Sequence, residues 1–395
     1  MKGGVLRRAV IADDLNRQMN LDFSSIPILD HHAHPLLRRP PAGLSDWLPF
    51  FTESGDPDII SNHVPHTLFF QFAVKALAGL LGCEPKPEAV LAERDKLDQQ
   101  RWAGRLIQDA NITSMLVDYG FKSKESYTHE ELTELLPCRI ESILRLETSA
   151  QELILQYDTC DQVIDAFVAE VEGAKKDGYV ALKTIIAYRT GLNIRKWPRS
   201  EVTAAFERIK ELSRREGQIR LATQPLNDML LIHALDIAES QRMPVQFHTG
   251  YGDADVDLQS ANPLNFRPLL QSGKYAHVPW VLLHQGYPYV REAGYLASIY
   301  ANVYTDLSLA IPFAVSETDM LLTQLMGLAP TSKLLYASDG FSVPELFWLG
   351  AKVGRAGLER VLGLQVDNGV LSVPEAYKTA EQILFRNSER LYIPE

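Results

Sequence analysis

Eight short β-branched runs recur along the 395-residue chain, most of them separated by helical stretches. They are "IPILDHHAH" (26–34), "ITSMLVDYG" (112–120), "RIESILRLE" (139–147) and "YVALKTIIAYR" (179–189). They continue with "PVQFHTGYG" (244–252), "WVLLHQGYP" (280–288), "NVYTDLSLA" (302–310) and "LLYASDGF" (334–341). Apolar runs of this length, without clean alternation, fit strands covered on both faces, as in a parallel sheet. Parallel neighbours need crossover connections, and the intervening stretches supply them. In "DQVIDAFVAEVEGAKKDG" (161–178), Val163, Ile164, Phe167, Val168 and Val171 share one helical face, with Asp161 placed to cap and Gly178 to stop the helix. "SEVTAAFERIKELSRREG" (200–217), stopped by Gly217, and "YVREAGYLASIYAN" (289–302) suit the same role. The pattern predicts an α/β fold, a (β/α)8 TIM barrel, with a doubly wound open sheet as the competitor.

Residues 35 to 100 break the alternation. The segment is too long for a plain βα loop and reads as a helical insertion after strand 1, either a lid over the barrel mouth or a decoration. The whole chain, 1–395, then forms one barrel domain. The most apolar stretch, "TLFFQFAVKALAGLLG" (67–82), is broken by Gln71 and Lys75 and reads as a buried or amphipathic helix, not a membrane span. A net charge of −11 without a basic cluster argues against nucleic acid or an anionic membrane as partner. Cys83, Cys138 and Cys160 are scattered, which suggests reduced thiols in a cytoplasm. The start, "MKGGVLRRAVIADDLNRQMN", is too polar for a secretory leader. The expected partner is a small-molecule substrate, and the composition is compatible with a homo-oligomer.

The ends of the predicted strands carry the chemistry. Strand 1 ends in Asp30, His31, His32 and His34; strand 4 holds Lys183; strands 5, 6 and 8 end in His248, His284 and Asp339. In a barrel these C-terminal ends share one face, where catalysis sits. His32 and His34 are two apart and would face one side, Asp30 with them, while His31 would point into the barrel wall or toward a helix. Imidazoles plus a carboxylate describe a catalytic Zn2+ or related divalent site. Each residue alone has a plainer reading. An HxH pair is more often structural, Asp339 before a glycine suits a turn, and Lys183 suits a salt bridge or a snorkelling side chain. Five such residues at the ends of five apolar runs are much harder to assign to packing alone.

"DHHAH", the strand-4 lysine, "FHTG", "LLHQG" and "ASDG", in this order, resemble the amidohydrolase superfamily of metal-dependent hydrolases, and the tail "AEQILFRNSERLYIP" resembles its closing helix. More narrowly, "KTIIAYRTGL", "HTGYGDADVDLQSANPL" and "SDGFSVPELFWLGA" resemble the amidohydrolase-like domain fused to glutamine-synthetase-type domains in some fungi and plants. The resemblance implies His32, His34, His248 and Asp339 as metal ligands. With two metals, Lys183 would bridge them as a carbamate and His284 would bind the second. With one metal, as in the decarboxylase-containing branch, Lys183 stays unmodified and His284 acts on substrate.

The implied reaction is hydrolysis of an amide or related acyl bond, with Asp339 and His284 catalytic: Asp339 moves the water proton and His284 or a second cation polarises the carbonyl. Arg189, in "AYRTG", would hold a substrate carboxylate or phosphate, unless Asp253, Asp255 or Asp257 neutralises it. Tyr251 and Trp348 would form apolar walls of the pocket or simply pack. The alternatives are a mononuclear metal-dependent decarboxylase and a non-catalytic metal-binding scaffold.

Overall fold

The computed structural model describes residues 19–121, 125–216 and 219–393; the N-terminal stretch 1–18 and Gly217 lie outside them. Each apolar run begins a strand close to where the sequence places it. The strands are β1 (Ile28–Ala33), β2 (Ile112–Asp118), β3 (Arg139–Arg145), β4 (Tyr179–Thr184), β5 (Val245–Phe247), β6 (Trp280–Leu282), β7 (Val303–Leu307) and β8 (Leu334–Tyr336). They form one parallel sheet in chain order, which selects the barrel over the doubly wound sheet. Each strand ends before its apolar run does. The residues beyond leave the ladder to aim side chains across the barrel mouth, and His284, Gln285 and Asp339 do so with positive φ.

Two apolar layers hold the barrel. Leu29, Leu116, Ile143, Ala181, Val281, Leu283 and Leu335 form a separate buried cluster with Tyr392, the last residue of the final helix Asn387–Tyr392. The larger cluster includes strand and helix residues, such as Phe167 and Val171 from Cys160–Gly173 and Phe206 from Arg199–Glu216. The helix Cys160–Gly173 is capped by Thr159, not Asp161, because Thr159 and Gln162 satisfy each other's backbone N–H in a capping box. It stops at Gly173, and Gly178 instead takes the positive-φ turn before β4.

Between β1 and β2 the chain passes through helices Leu44–Trp47, Leu68–Leu81, Pro87–Arg94 and Gln99–Asp109. Leu68–Leu81 buries Phe69, Phe70, Ala73, Val74, Leu77 and Ala78. Among the described residues no single helix is long and apolar enough to cross a membrane; Ile59–His66 and Leu68–Leu81 pass on length and composition only as a pair bent by 67°.

The barrel closes at β1 and β8 through loops, not through a strand ladder. Asp339 N–H donates to His32 O at 3.1 Å, His34 N–H to Gly340 O at 2.8 Å, Ser342 N–H to Pro35 O at 3.1 Å and Leu37 N–H to Ser342 O at 2.9 Å. Below them the fully buried Asp30 accepts Ser338 N–H at 2.9 Å and Ser338 Oγ–H at 2.5 Å. Burial pushes this carboxyl up to about 7 against the lowering effect of those bonds. Asp30 therefore locks the strand; its partners are Ser338 and the His32 N–H, not an imidazole ring.

Asp30→Ala leaves two buried donors of Ser338 without a partner. The expected cost is about 2–4 kcal/mol, read as a lower denaturant midpoint with an unchanged slope. An unshifted midpoint would show that the seam does not depend on this carboxyl.

Candidate metal centre

The seam carries the metal-ligand set. His32 Nε2 and His34 Nε2 each stand 3.3 Å from Asp339 Oδ1, and their ligand atoms with those of Asp339 lie within 4.8 Å of one another. His34 Nδ1 is 3.1 Å from Asp118 O. A carbonyl only accepts, so Nδ1 carries a proton and Nε2 is the ring nitrogen turned toward the Asp339 carboxylate. The two rings meet edge to face with centroids 5.0 Å apart, so both aim at one point.

His248 and His284 approach from the other side. Their ring centroids are 4.5 Å apart, and His284 Nδ1 is 3.7 Å from Asp339 Oδ2. His248 Nε2 is buried without a hydrogen-bond partner, as is Asp339 Oδ1. Such orphaned groups cost free energy unless a ligand satisfies them. Lys183, 1% exposed, places Nζ 3.2 Å from His32 Nε2, so it meets an imidazole where a salt bridge to a carboxylate was the plainer expectation.

Electrostatics prepare this set for a cation. Burial, reinforced by Lys183, holds His32 well below the usual imidazole range; burial and His284 do the same for His248. Burial lowers His284 to about 4. These rings are neutral donors near pH 7. Burial alone would raise Asp339, but His284, His32 and His34 outweigh it and hold the carboxyl well below its ordinary value. Burial brings Lys183 down to about 8. Neutral imidazole nitrogen, a hard carboxylate oxygen and an amine near neutrality fit a divalent ion such as Zn2+.

The group opens into a cavity of about 420 Å3 lined by His34, Lys183, His248, His284 and Asp339. Arg189 lines it too, with Nε buried and without a partner. Asp255, one of its candidate neutralisers, pairs instead with Arg220 at 2.8 Å. Asp253 and Asp257 accept bonds within their own loop. Tyr251 is not among the lining residues; its ring packs near Tyr287 and Phe313. Trp348 is core, donating to Asp109 Oδ2 at 2.7 Å.

The strand-1 alternation fails at one residue. A register shift lies between Asp30 and Ala33, and His31 turns into the barrel interior beside Gln246, Asp306 and Tyr392. Sequence reasoning also passed over four lining or supporting residues. Asp118 and Arg145, at the ends of β2 and β3, form a buried pair at 2.7 Å next to His34. Their position at the ends of two apolar runs was the signal available. The Tyr188 ring lies against His248 with centroids 4.2 Å apart and planes tilted by 45°, and Gly252 is needed there because a Cβ would run into the Tyr188 hydroxyl. Glu53 enters the cavity from the segment after β1, and burial pushes it up to about 8.

Comparison with known proteins agrees with this geometry. The chain is 31% identical over 398 residues to Protein fluG of Emericella nidulans, an alignment covering 93% of this chain and 45% of that protein. It thus spans less than half the length of that curated relative. A crystal structure of a protein described as a metal-dependent hydrolase from Lactobacillus casei superposes with a TM-score of 0.85 at 29% identity, covering 95% of this chain and 98% of the other. Glucuronate isomerase from Caulobacter crescentus matches with a TM-score of 0.65 at 14% identity, covering 93% and 91%, which speaks to the fold alone. The amidohydrolase family profile matches residues 193–392, a stretch that contains His248, His284 and Asp339, and the chain belongs to the amidohydrolase family.

Proposed function

We propose that the protein is a metal-dependent hydrolase acting on an amide or related acyl bond of a small, carboxylate-bearing substrate. The observation that carries this reading is the convergence of the His32 and His34 Nε2 atoms on Asp339 Oδ1, at the floor of a cavity whose wall carries Arg189 with its Nε unpaired among the described residues. His32, His34, His248 and Asp339 would hold a divalent ion, Zn2+ by the chemistry of the donors, with Lys183 and His284 available for a second. Such an ion, when bound, supplies Lewis acidity and lowers the pKa of coordinated water.

The chain's own groups do the rest. Asp339 Oδ2 accepts the proton of the attacking water and returns it to the leaving nitrogen or oxygen. His284, with Nδ1 2.8 Å from Ser308 Oγ, keeps Nε2 for the scissile carbonyl or for a metal. The Ser308 hydroxyl can serve either ring tautomer, because it both donates and accepts. Arg189 takes the substrate carboxylate through parallel N–H donors, which fixes the acyl group over the floor. Lys183, lowered by burial to about 8, has a neutral fraction able to capture carbon dioxide and bridge two ions as a carbamate. A lyase reading on the same scaffold needs one ion and an unmodified Lys183.

The following measurements test this. Metal-loaded protein screened against N-acyl and γ-glutamyl compounds should hydrolyse at least one; exhaustive chelation should abolish the activity and Zn2+ should restore it. Release of carbon dioxide from a carboxylate substrate would move the protein to the lyase class. Asp339→Asn should reduce kcat by about 10²–10⁴-fold, and Arg189→Met should raise KM by about 10- to 100-fold with kcat much less affected. Activation by bicarbonate with Zn2+ should speed up as pH rises through about 8, because the reactive form of Lys183 is the neutral amine. A flat pH dependence, with no carbamate in the mass of gently ionised protein, would leave Lys183 unmodified.

A further inference from the structure

A polar layer lies between the apolar barrel floor and the metal centre. Branched apolar side chains usually fill such a barrel. Here His31, Gln246 and Asp306, each fully buried, occupy the level below His284, and Tyr392 of the final helix rises into it from beneath. Polar groups at such depth are costly unless they are paired, so their pairing has a function or the layer would be expected to be apolar.

We infer that Tyr392, His31 and Asp306 form a positioning relay that runs from the C-terminal helix to the backbone of His284 and sets the aim of its ring. The inference rests on the proposed site but concerns how it is held.

Donor and acceptor accounting gives the relay its direction. Gln246 Nε2 donates to His31 O at 2.8 Å, and its second hydrogen faces the Tyr392 hydroxyl at 3.1 Å more closely than His31 Nδ1 at 3.3 Å. Tyr392 OH lies 3.2 Å from His31 Nδ1, and burial keeps the phenol protonated. The hydroxyl, accepting from Gln246, gives its own hydrogen to Nδ1, and both neighbours therefore favour the proton of His31 on Nε2. Nε2 stands 3.2 Å from Asp306 Oδ2. The two are not aligned as an ideal hydrogen bond, and neither has another partner among the described residues, so the contact orients the carboxylate by charge. The other oxygen, Asp306 Oδ1, accepts His284 N–H at 2.7 Å. Ser308 Oγ completes the hold at 3.1 Å from the same N–H and 2.8 Å from Nδ1.

This hold is needed because His284 and Gln285 sit at φ 66° and 57°, in the left-handed region that L residues rarely adopt. Asp306 supplies the buried acceptor that the turned N–H requires. The Tyr392 ring stacks on His31 with centroids 5.6 Å apart and planes 13° from parallel, so removing its hydroxyl alone leaves the packing in place.

The test uses the full chain and needs no substrate. Long-range proton–nitrogen spectra of the histidine rings, assigned with His31→Gln and His284→Gln, are compared in wild type, Tyr392→Phe and Asp306→Asn, beside Co2+ titrations. The relay predicts one Nε2–H tautomer for His31 in wild type. In Tyr392→Phe it predicts a tautomer mixture, a shifted His284 ring signal and a loss of Co2+ affinity or of a second bound Co2+ of about 10-fold, at nearly unchanged melting temperature. Asp306→Asn should move His284 at least as far. If Asp306→Asn fails to fold, Tyr392→Phe decides alone, because it removes one oxygen atom. An unmoved His284 signal in folded Tyr392→Phe overturns the relay, even if His31 changes. If wild type binds no Co2+, the metal reading fails by itself, and the ring spectra still decide the relay.

Discussion

The seam between β1 and β8 is the interaction on which the site depends. The other neighbouring strand pairs are joined by parallel ladders, whereas this one is closed by backbone bonds from His34, Leu37, Asp339 and Ser342 and by the Asp30 carboxylate. The loop that closes the barrel is therefore the loop that carries Asp339, and the strand end it closes on carries His32 and His34. Barrel closure and ligand convergence are one event. A chain that failed to close would separate Asp339 from both imidazoles, and a bound divalent ion would in turn pull the seam together.

Burial sets the charge state of this convergence. Water is excluded from His32, His248 and His284, so the rings stay neutral and keep lone pairs that protonation would otherwise remove. Asp339 keeps its negative charge because its contacts with His284, His32 and His34 outweigh burial, and Asp118 keeps its own because Arg145 pairs with it at 2.7 Å, against the raising effect of burial. The centre thus sets the Asp339 carboxylate among the neutral rings of His32, His248 and His284, with Lys183 as the nearby titrating amine.

The barrel and the convergence of His32, His34 and Asp339 were legible in the sequence because both rest on simple periodicities. Apolar runs without alternation mark two-sided burial, and a polar residue at the end of such a run has one place to point. What the sequence concealed involves departures from period two. His31 lies inward, two positions from the interior Leu29, and the register shift between Asp30 and Ala33 lets His32 reach the barrel mouth as well, so counting parity from His32 and His34 misplaced His31 in the wall. The short strands β5, β6 and β8 hand over to positive-φ loops, so His284 and Asp339 reach the centre from turns, not from the ladder. The Asp118–Arg145 pair and Glu53 were missed for different reasons. The pair ended apolar runs and could have been read, whereas Glu53 lies in a segment whose path no periodicity prescribes.

The division between floor and rim explains why reaction class and substrate differ in how far residues reveal them. Metal chemistry requires a few donor types in fixed geometry, and strand ends anchored by a packed barrel supply them. The rim of the cavity is lined by Glu53, Phe121 and the adjacent Tyr188 and Arg189, which come from three separate stretches of the chain with no shared spacing. One floor can therefore serve many substrates as the rim changes. Arg189 is the rim residue that can be interpreted on its own. Its neighbouring aspartates have other partners, its Nε is buried without one among the described residues, and burial lowers its pKa from the usual value, which suits it to the carboxylate of the proposed substrate.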